Sequence, residues 1–284
     1  MAKIKSRTRS VPVALTIAGS DSGGGAGLQA DLKTFAALGV HGTTAVTCLT
    51  AQNPRRVLAV TPCPPAQMLA QLDALWTELP PAAVKTGMLC NLANVRLLVN
   101  FFRQHPGTPL VIDPVMIATS GARLLSPAAI KLLLAELLPL AALVTPNVLE
   151  AEVLTGHKPA TVADLRAAAR QIQARYGCAA LVKGGHLPNT RTAVDIFYDG
   201  QTELFLAAPF IRGLKTHGTG CTYSAAITAG LAHGLKLPDA VGRAKHYITR
   251  AIANSYRTHG HSVLSHLSRS SLPAPTFLSK FPPS

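Results

Sequence analysis

Short apolar runs alternate with amphipathic stretches along most of the chain. "VALTIAG" (13–19) is apolar and ends in glycine; beyond a polar, glycine-rich turn, "AGLQADLKTFAALG" sets Leu28, Leu32, Phe35 and Leu38 at helical spacing. This pattern predicts a strand followed by a helix. "GTTAVTCLTAQN" and "RVLAVTPC" are rich in Thr and Val and short enough for strands. "PPAQMLAQLDALWTEL" reads as a helix with proline near its start, "AAVKTGML" as a strand, and "NLANVRLLVNFFRQH" as a helix capped by Asn91. "TPLVIDPV" is a buried strand ending in Asp113 and Pro114, "SPAAIKLLLAELLP" a helix capped by Ser126, and "AALVTPN" a strand. "NVLEAEVLTG" and "TVADLRAAARQIQARYG" read as helices and "AALVKGGH" as a strand. "TAVDIFYDGQTELFLAAPF" alternates about Asp199 and Gly200 as a hairpin does, and two helices follow, one after Gly220 and one over about 237–256.

Strand and helix alternate without repeats or a low-complexity linker, which predicts one α/β domain over 11–256. Its sheet would be mostly parallel, covered by helices on both faces, with ligands at the carboxyl ends of the strands. Residues 1–10 read as a basic, disordered tail, and 257–284, with Ser, His, Pro and little periodicity, as loop or partly disordered.

At 284 residues, 48% hydrophobic and 14% charged, the chain can bury a large core. A net charge of +14 invites a polyanion partner. Its distribution argues otherwise: Lys3, Lys5, Arg7 and Arg9 crowd one end, other cations are scattered singly, and aromatic residues are only 5%, poor for stacking bases. Anionic small molecules are the better expectation, with no nucleic acid and no membrane among the partners. No apolar run reaches the ~20 residues of a spanning helix, and no apolar leader core follows the basic start, so a soluble, cytoplasmic protein is expected. Cys48, Cys63, Cys90, Cys178 and Cys221 have neither metal-ligand spacing nor scaffold density, which fits a reducing compartment. All but Cys221 read as packing residues.

Three clusters carry candidate chemistry. "GSDSGGGAG" (19–27) lies between a strand and a helix, where glycines bring backbone close to a ligand, yet it lacks the Lys-Ser/Thr pair of a Walker loop. A tight turn alone would also explain it. In "HGTGC", Gly218, Thr219 and Gly220 precede a helix, so unpaired N–H groups and the helix dipole suit an anion that develops charge. "IDPV", "TPNVLE" and "LVKGGH" set Asp113, Asn147, Glu150 and Lys183 just beyond three strands, facing one sheet edge.

These stretches, with "VKTGML", "IDPVMIATSG" and "THGTGCTYSAAITAGLA", resemble the hydroxymethylpyrimidine/phosphomethylpyrimidine kinases of thiamine biosynthesis, over roughly 13–254 and in the same order. The resemblance implies a ribokinase-like three-layer α/β/α sandwich with a mostly parallel central sheet. It implies ATP and Mg²⁺ as cofactors, a homodimer, and two successive phosphorylations of 4-amino-5-hydroxymethyl-2-methylpyrimidine, first to the monophosphate and then to the diphosphate. Carried over, Gln52 would hydrogen-bond the aminopyrimidine, whose ring nitrogen and exocyclic amine an amide complements. Gly19, Asp31, Met88 and Val115 would line that pocket, although Met88 could be plain core and Asp31 could sit on a solvated helix face. Cys221 is the candidate base, its thiol expected to be acidified by the helix N-terminus. Lys183 would lie near the nucleotide phosphates, and Glu150 with Asn147, joined by Asp113, would organise Mg²⁺ and water. The carboxylates could equally be caps, and His217 could touch phosphate or hold a structural hydrogen bond.

Ser22 stands where many relatives have proline, which implies altered loop stiffness, and Thr119 with Ala122 and Arg123 depart from the usual flap residues. Two rival readings stay open: a pyridoxal or pyridoxine kinase of vitamin B6 salvage, and a catalytically inactive ligand-binding regulator.

Overall fold

The computed structural model describes residues 10–116, 124–185, 187, 192–211, 217–267 and 277–278. The expected strands and helices all form. Strand β1 (Val13–Asp21) feeds helix α1 (Gly27–Ala37), and β2 (His41–Asn53) turns back into β3 (Arg56–Pro62). There follow α2 (Pro65–Glu78), β4 (Ala83–Thr86), α3 (Leu92–Gln104) and β5 (Leu110–Ile112). The next helix, α4 (Pro127–Leu132), is shorter than its apolar pattern implies. It passes into a π turn at Leu133–Leu137 and a 3₁₀ turn at Leu138–Leu140, a change of pitch where Pro139 has no N–H to donate. The remaining elements are β6 (Leu143–Val144), α5 (Val148–Thr155), α6 (Val162–Tyr176), β7 (Ala179–Lys183), the hairpin of β8 (Thr192–Tyr198) and β9 (Glu203–Pro209), α7 (Thr219–Ala232) and α8 (Leu237–Ala253).

The segment after residue 256, read from sequence as a tail, is partly built into the fold. β10 (Tyr256–Thr258) and β11 (His261–Val263) pair antiparallel, Leu264 is buried, and β12 (Phe277–Leu278) pairs with β9. Strands this short have no readable period, so only tertiary contact reveals them.

Among the described residues the main sheet has ten strands in the order β12-β9-β8-β7-β6-β5-β4-β1-β2-β3. The run from β2 through β1, β4, β5 and β6 to β7 is parallel; the flanking pairs are antiparallel. Alternate residues of the central strands face opposite layers. Leu15, Ile112, Val144 and Val182 pack against Met68, Leu98, Leu137 and Ile172, while Val111, Leu143 and Leu181 pack against Tyr223, Ile227, Val241 and Ile248. No described helix is long and apolar enough to cross a membrane.

A fully buried polar contact crosses this apolar interior. Lys85 on β4 reaches the Asp31 carboxylate of α1 at 2.8 Å and 2.9 Å, Thr16 of β1 donates to the same carboxylate at 2.6 Å, and both charged side chains are 0% exposed. Asp31 is therefore sealed beneath the sheet's carboxyl edge rather than solvated. Removing one member of such a pair leaves a bare buried charge. Lys85→Met is expected to cost about 3–5 kcal/mol in urea unfolding, and Asp31→Leu/Lys85→Met to recover much of that loss. Equal losses in the single and double variants would show that packing, not the orphaned charge, sets the cost.

Candidate active site

The carboxyl ends of β1, β2, β4, β5 and β7 meet the starts of α1, α5 and α7. The β1–α1 loop is organised around Asp21, which accepts from the amides of Gly23 at 2.8 Å, Gly25 at 3.1 Å and Ala26 at 2.8 Å. Burial alone would raise its pKa, but the His217 hydrogen bond and the Ala26 and Gly23 amides outweigh it and hold the carboxyl below its ordinary 3.8. Facing this loop, Gly218 caps α7 with φ at +83°, and a β-carbon there would collide with the Gly25 carbonyl oxygen. Glycine is required at that crossing for both reasons.

Gln52 lies at the end of β2. Its amide nitrogen donates to Ser22 Oγ at 2.8 Å, and Ser22 Oγ donates to its carbonyl at 2.7 Å. Ser22 does more than change loop stiffness, since it holds the backbone of the candidate recognition residue. The Gln52 side chain meets His217 Nε2 at 3.1 Å, and the same nitrogen is 3.5 Å from Asp21. His217, grouped by its motif with the nucleotide residues, thus stands on the Gln52 side of the site. Gly19 and Met88 form the adjoining floor: a β-carbon on Gly19 would lie 3.8 Å from the Met88 sulfur and 2.7 Å from that of Cys48. Val115, whose amide donates to the Asp113 carbonyl at 2.8 Å, marks the rim. The flap residues Thr119, Ala122 and Arg123 lie outside the described residues.

On the other side, Lys183 donates to Asp113 at 3.2 Å and to the Thr145 carbonyl at 2.5 Å, and Thr145 Oγ1 donates to Asp113 at 3.2 Å. Asn147 and Glu150 form a capping box on α5: Asn147 accepts from the Leu149 and Glu150 amides, and Glu150 accepts from the Asn147 amide at 2.8 Å. Burial, and then the neighbouring Asp113 charge, push Glu150 up to about 7 against the opposing Lys183 ammonium. Two buried carboxylates short of positive charge fit a divalent cation that also binds phosphate oxygens and water. Among the described residues, no three His, Cys, Asp or Glu side chains are grouped to hold a metal by themselves.

Cys221 sits between the two sides, in the first turn of α7, preceded by Thr219 and Gly220; a β-carbon on Gly220 would lie 3.5 Å from Lys183 Nζ and 3.6 Å from Asp113. The expectation of an acidic thiol fails. Desolvation pushes it up to about 11; Lys85 and the Gly27 amide favour the thiolate, while Asp31 and Asp113 disfavour it. The helix-end rule applies to a thiol well exposed to water, whereas this one is only partly exposed and has two carboxylates for neighbours. Sequence reasoning also missed Asp21, Lys85 and Thr145. Lys85 had a signal, a lone cation inside an otherwise apolar strand.

The layers, the strand order and a helix start facing a glycine loop define a ribokinase-like α/β/α fold. A model of the phosphomethylpyrimidine kinase family matches residues 21–265. The chain is 50% identical over 248 residues to a hydroxymethylpyrimidine/phosphomethylpyrimidine kinase from Rhizobium meliloti, covering 86% of this chain and 92% of that one. Among solved structures it is similar to an ADP complex of Bacillus subtilis pyridoxal kinase (TM-score 0.84, 39% identity, covering 90% of this chain and 98% of that one). It is also similar to a phosphomethylpyrimidine kinase from Clostridium difficile (TM-score 0.75, 41% identity, covering 85% and 99%). The chain belongs to the phosphomethylpyrimidine kinase family, as its motifs led us to expect.

Because the folded-state pKa of Asp21 is depressed, its carboxylate stabilises the fold at pH values above 3.8 and that contribution is lost as pH falls through the lower folded value. Asp21→Asn is expected to lower stability by about 1–3 kcal/mol at neutral pH. The two proteins should converge in acid, once the pH has fallen through the lowered folded-state pKa of Asp21, when their denaturant midpoints are compared across pH.

Proposed function

We propose that this protein uses ATP to phosphorylate 4-amino-5-hydroxymethyl-2-methylpyrimidine to its monophosphate and then to the diphosphate, for thiamine diphosphate biosynthesis. The observation that carries the reading is the placement of Cys221 between the Gln52 pocket and the Lys183–Asp113 pair, at the start of a helix.

In this reading the Gln52 amide, with Gly19, Met88 and Val115 beside it, orients the pyrimidine so that its hydroxymethyl group faces Cys221. Amides at the start of α7, from Gly218, Thr219 and Gly220, receive the phosphoryl group in transit, and the Lys183 ammonium faces the phosphate it leaves. Asp113 and Glu150, the latter fixed by Asn147, would hold Mg²⁺, which supplies charge neutralisation on the nucleotide phosphates when bound. Cys221 accepts the alcohol proton. With its thiol near 11, about one molecule in 10⁴ carries thiolate at pH 7, so the alcohol step gains rate as pH rises. The second acceptor, a phosphate monoester with a pKa of about 6, is already anionic and needs little help. Five free cysteines accord with a reducing, cytoplasmic setting.

A homodimer is part of the proposal. All seven residues of β3 are exposed, β3 forms one edge of the main sheet among the described residues, and Leu58 at 60% exposure, Val57 and Val60 are exposed apolar residues along it. An exposed apolar edge strand of this kind is a surface that a second copy can cover. Leu58→Lys is expected to shift a dimer to monomer in sedimentation velocity runs; an unsubstituted chain that sediments as a monomer would remove this part of the reading.

The structural likeness to pyridoxal kinases favours a second reading, salvage of vitamin B6. A mass-spectrometric assay with Mg-ATP and either hydroxymethylpyrimidine or pyridoxal separates them. Successive mono- and diphosphates of the pyrimidine are expected; phosphorylated pyridoxal alone would favour the second reading, and no product from either would favour an inactive binding protein. In the same assay Cys221→Ser is expected to slow the first phosphorylation by about 10²-fold or more and the second much less. The unsubstituted first step should quicken from about pH 7 to about pH 9. Equal losses in both steps would refute the assigned role of the thiol.

A further inference from the structure

Two cysteines that read as packing residues meet in the wall of the acceptor pocket. Cys48 lies on β2 opposite Gly19, where the β1–β2 register slips between Ala18 and Gly19. It is 0% exposed, and its sulfur fills the space a Gly19 side chain would need. Cys90 follows the pocket residue Met88 and immediately precedes Asn91, the cap of α3. Its φ is +73°, and the Asn91 amide donates to the Leu89 carbonyl at 2.9 Å, so Cys90 is the middle residue of a left-handed γ-turn, a rare and strained conformation for a residue with a side chain.

The turn is pinned to β2 next to Cys48. Thr47 Oγ1 donates to the Met88 carbonyl at 2.6 Å, and the Asn94 side chain donates to the Thr47 carbonyl at 3.3 Å and the Leu89 carbonyl at 2.9 Å. Asn94 thereby ties together the carbonyls immediately before Cys48 and Cys90, which sets the two thiols side by side. Their proximity brings the Cys90 thiol down to about 7 and drives Cys48 upward, so the partly exposed sulfur is the nucleophile and the sealed one its partner. No step of the phosphoryl transfer uses either residue.

We propose that Cys48 and Cys90 form a reversible oxidation site at which a hydroperoxide joins them as a disulfide and thereby weakens pyrimidine binding. The Cys90 thiolate attacks one peroxide oxygen; an S–O bond forms, the O–O bond breaks, and hydroxide leaves with hydrogen peroxide as oxidant. The Cys48 sulfur then displaces hydroxide from the Cys90 sulfenic acid as its own proton departs, giving the disulfide and water. The thiol pair has lost two electrons and two protons, and a dithiol reductant reverses the change. Closing the pair to an S–S bond of about 2.05 Å draws the Met88–Cys90 turn against β2 and shifts the Cys48 sulfur away from its fit to Gly19. The consequence for binding rests on the acceptor reading given above, whereas formation of the disulfide does not.

The test uses the full chain carrying Cys221→Ser, so that the thiol at the start of α7 cannot contribute. After hydrogen peroxide treatment, a non-reducing digest is expected to contain a peptide linked through Cys48 and Cys90, absent when Cys90→Gly is added, a substitution suited to the positive φ. Calorimetry should then record pyrimidine binding on the order of tenfold weaker in the oxidised protein, restored by dithiothreitol and insensitive to peroxide in the Cys90→Gly variant. Absence of the linked peptide, with Cys90 carried on to sulfinic acid, would overturn the proposal, as would a linked peptide with unchanged affinity. If the reduced protein binds no pyrimidine, the acceptor reading fails and the peptide map still decides whether the disulfide forms.

Discussion

The buried Lys85–Asp31 pair is the constraint on which the site depends. Strand β4, helix α1 and, through Thr16, strand β1 all contribute to one fully enclosed polar contact. Hydrophobic packing alone leaves neighbouring layers several comparable ways to settle, but an unpaired charge in that interior is costly enough to reject a shifted arrangement. The pair therefore fixes where α1 begins, and with it the glycine loop that precedes the helix. The same ammonium also favours the Cys221 thiolate, so a contact that orders the layers reaches the chemistry electrostatically.

Above this pair two helix starts confront one another. The Gly27 amide at the start of α1 points toward the Cys221 sulfur, and Gly218 at the start of α7 crosses the Gly25 carbonyl with no room for a side chain. Neither helix could move without its loop. The close packing that gives such precision also strips much of the water from the partly exposed thiol, and this is why it sits high instead of low. In the proposed function, a strong base that is rarely ionised suits an alcohol acceptor better than a phosphate one, and a single site serving both acceptors therefore need not treat them alike.

The alternation of apolar and amphipathic segments made the sheet and its helices readable, because a parallel sheet buries whole strands and the helices covering it keep one polar face. Motifs made the site readable where loops carry glycine or a strand ends in a polar residue, as at Gly218, Asp113 and Lys183. Pairing was not readable. Asp31 looked as much like a surface residue as a pocket one until Lys85 lay across from it, Glu150 and Asn147 proved to serve each other as a capping box, and His217 joined Gln52 instead of the nucleotide side. Asn147 and Glu150 stand at capping-box spacing and the sequence left cap and ligand both open, whereas the Asp31–Lys85 and Gln52–His217 contacts join residues from distant parts of the chain, which local spacing does not encode. Cys48 and Cys90 were missed for the same reason.

Helix α7 buries Ala225, Ala226, Ala229 and Ala232, and a β-carbon on its Gly230 would lie 3.0 Å from that of Ala240 on α8. Small residues let the backbones approach closely, so the helix behaves as a rigid shaft seated without slack, with Cys221 at its tip. Its axial position is thus set by methyl-sized contacts several turns from the reacting atoms. Enlarging one of those residues would displace the tip before it unfolded the shaft, so the family's chemistry can drift through changes in packing while every motif at the site remains intact.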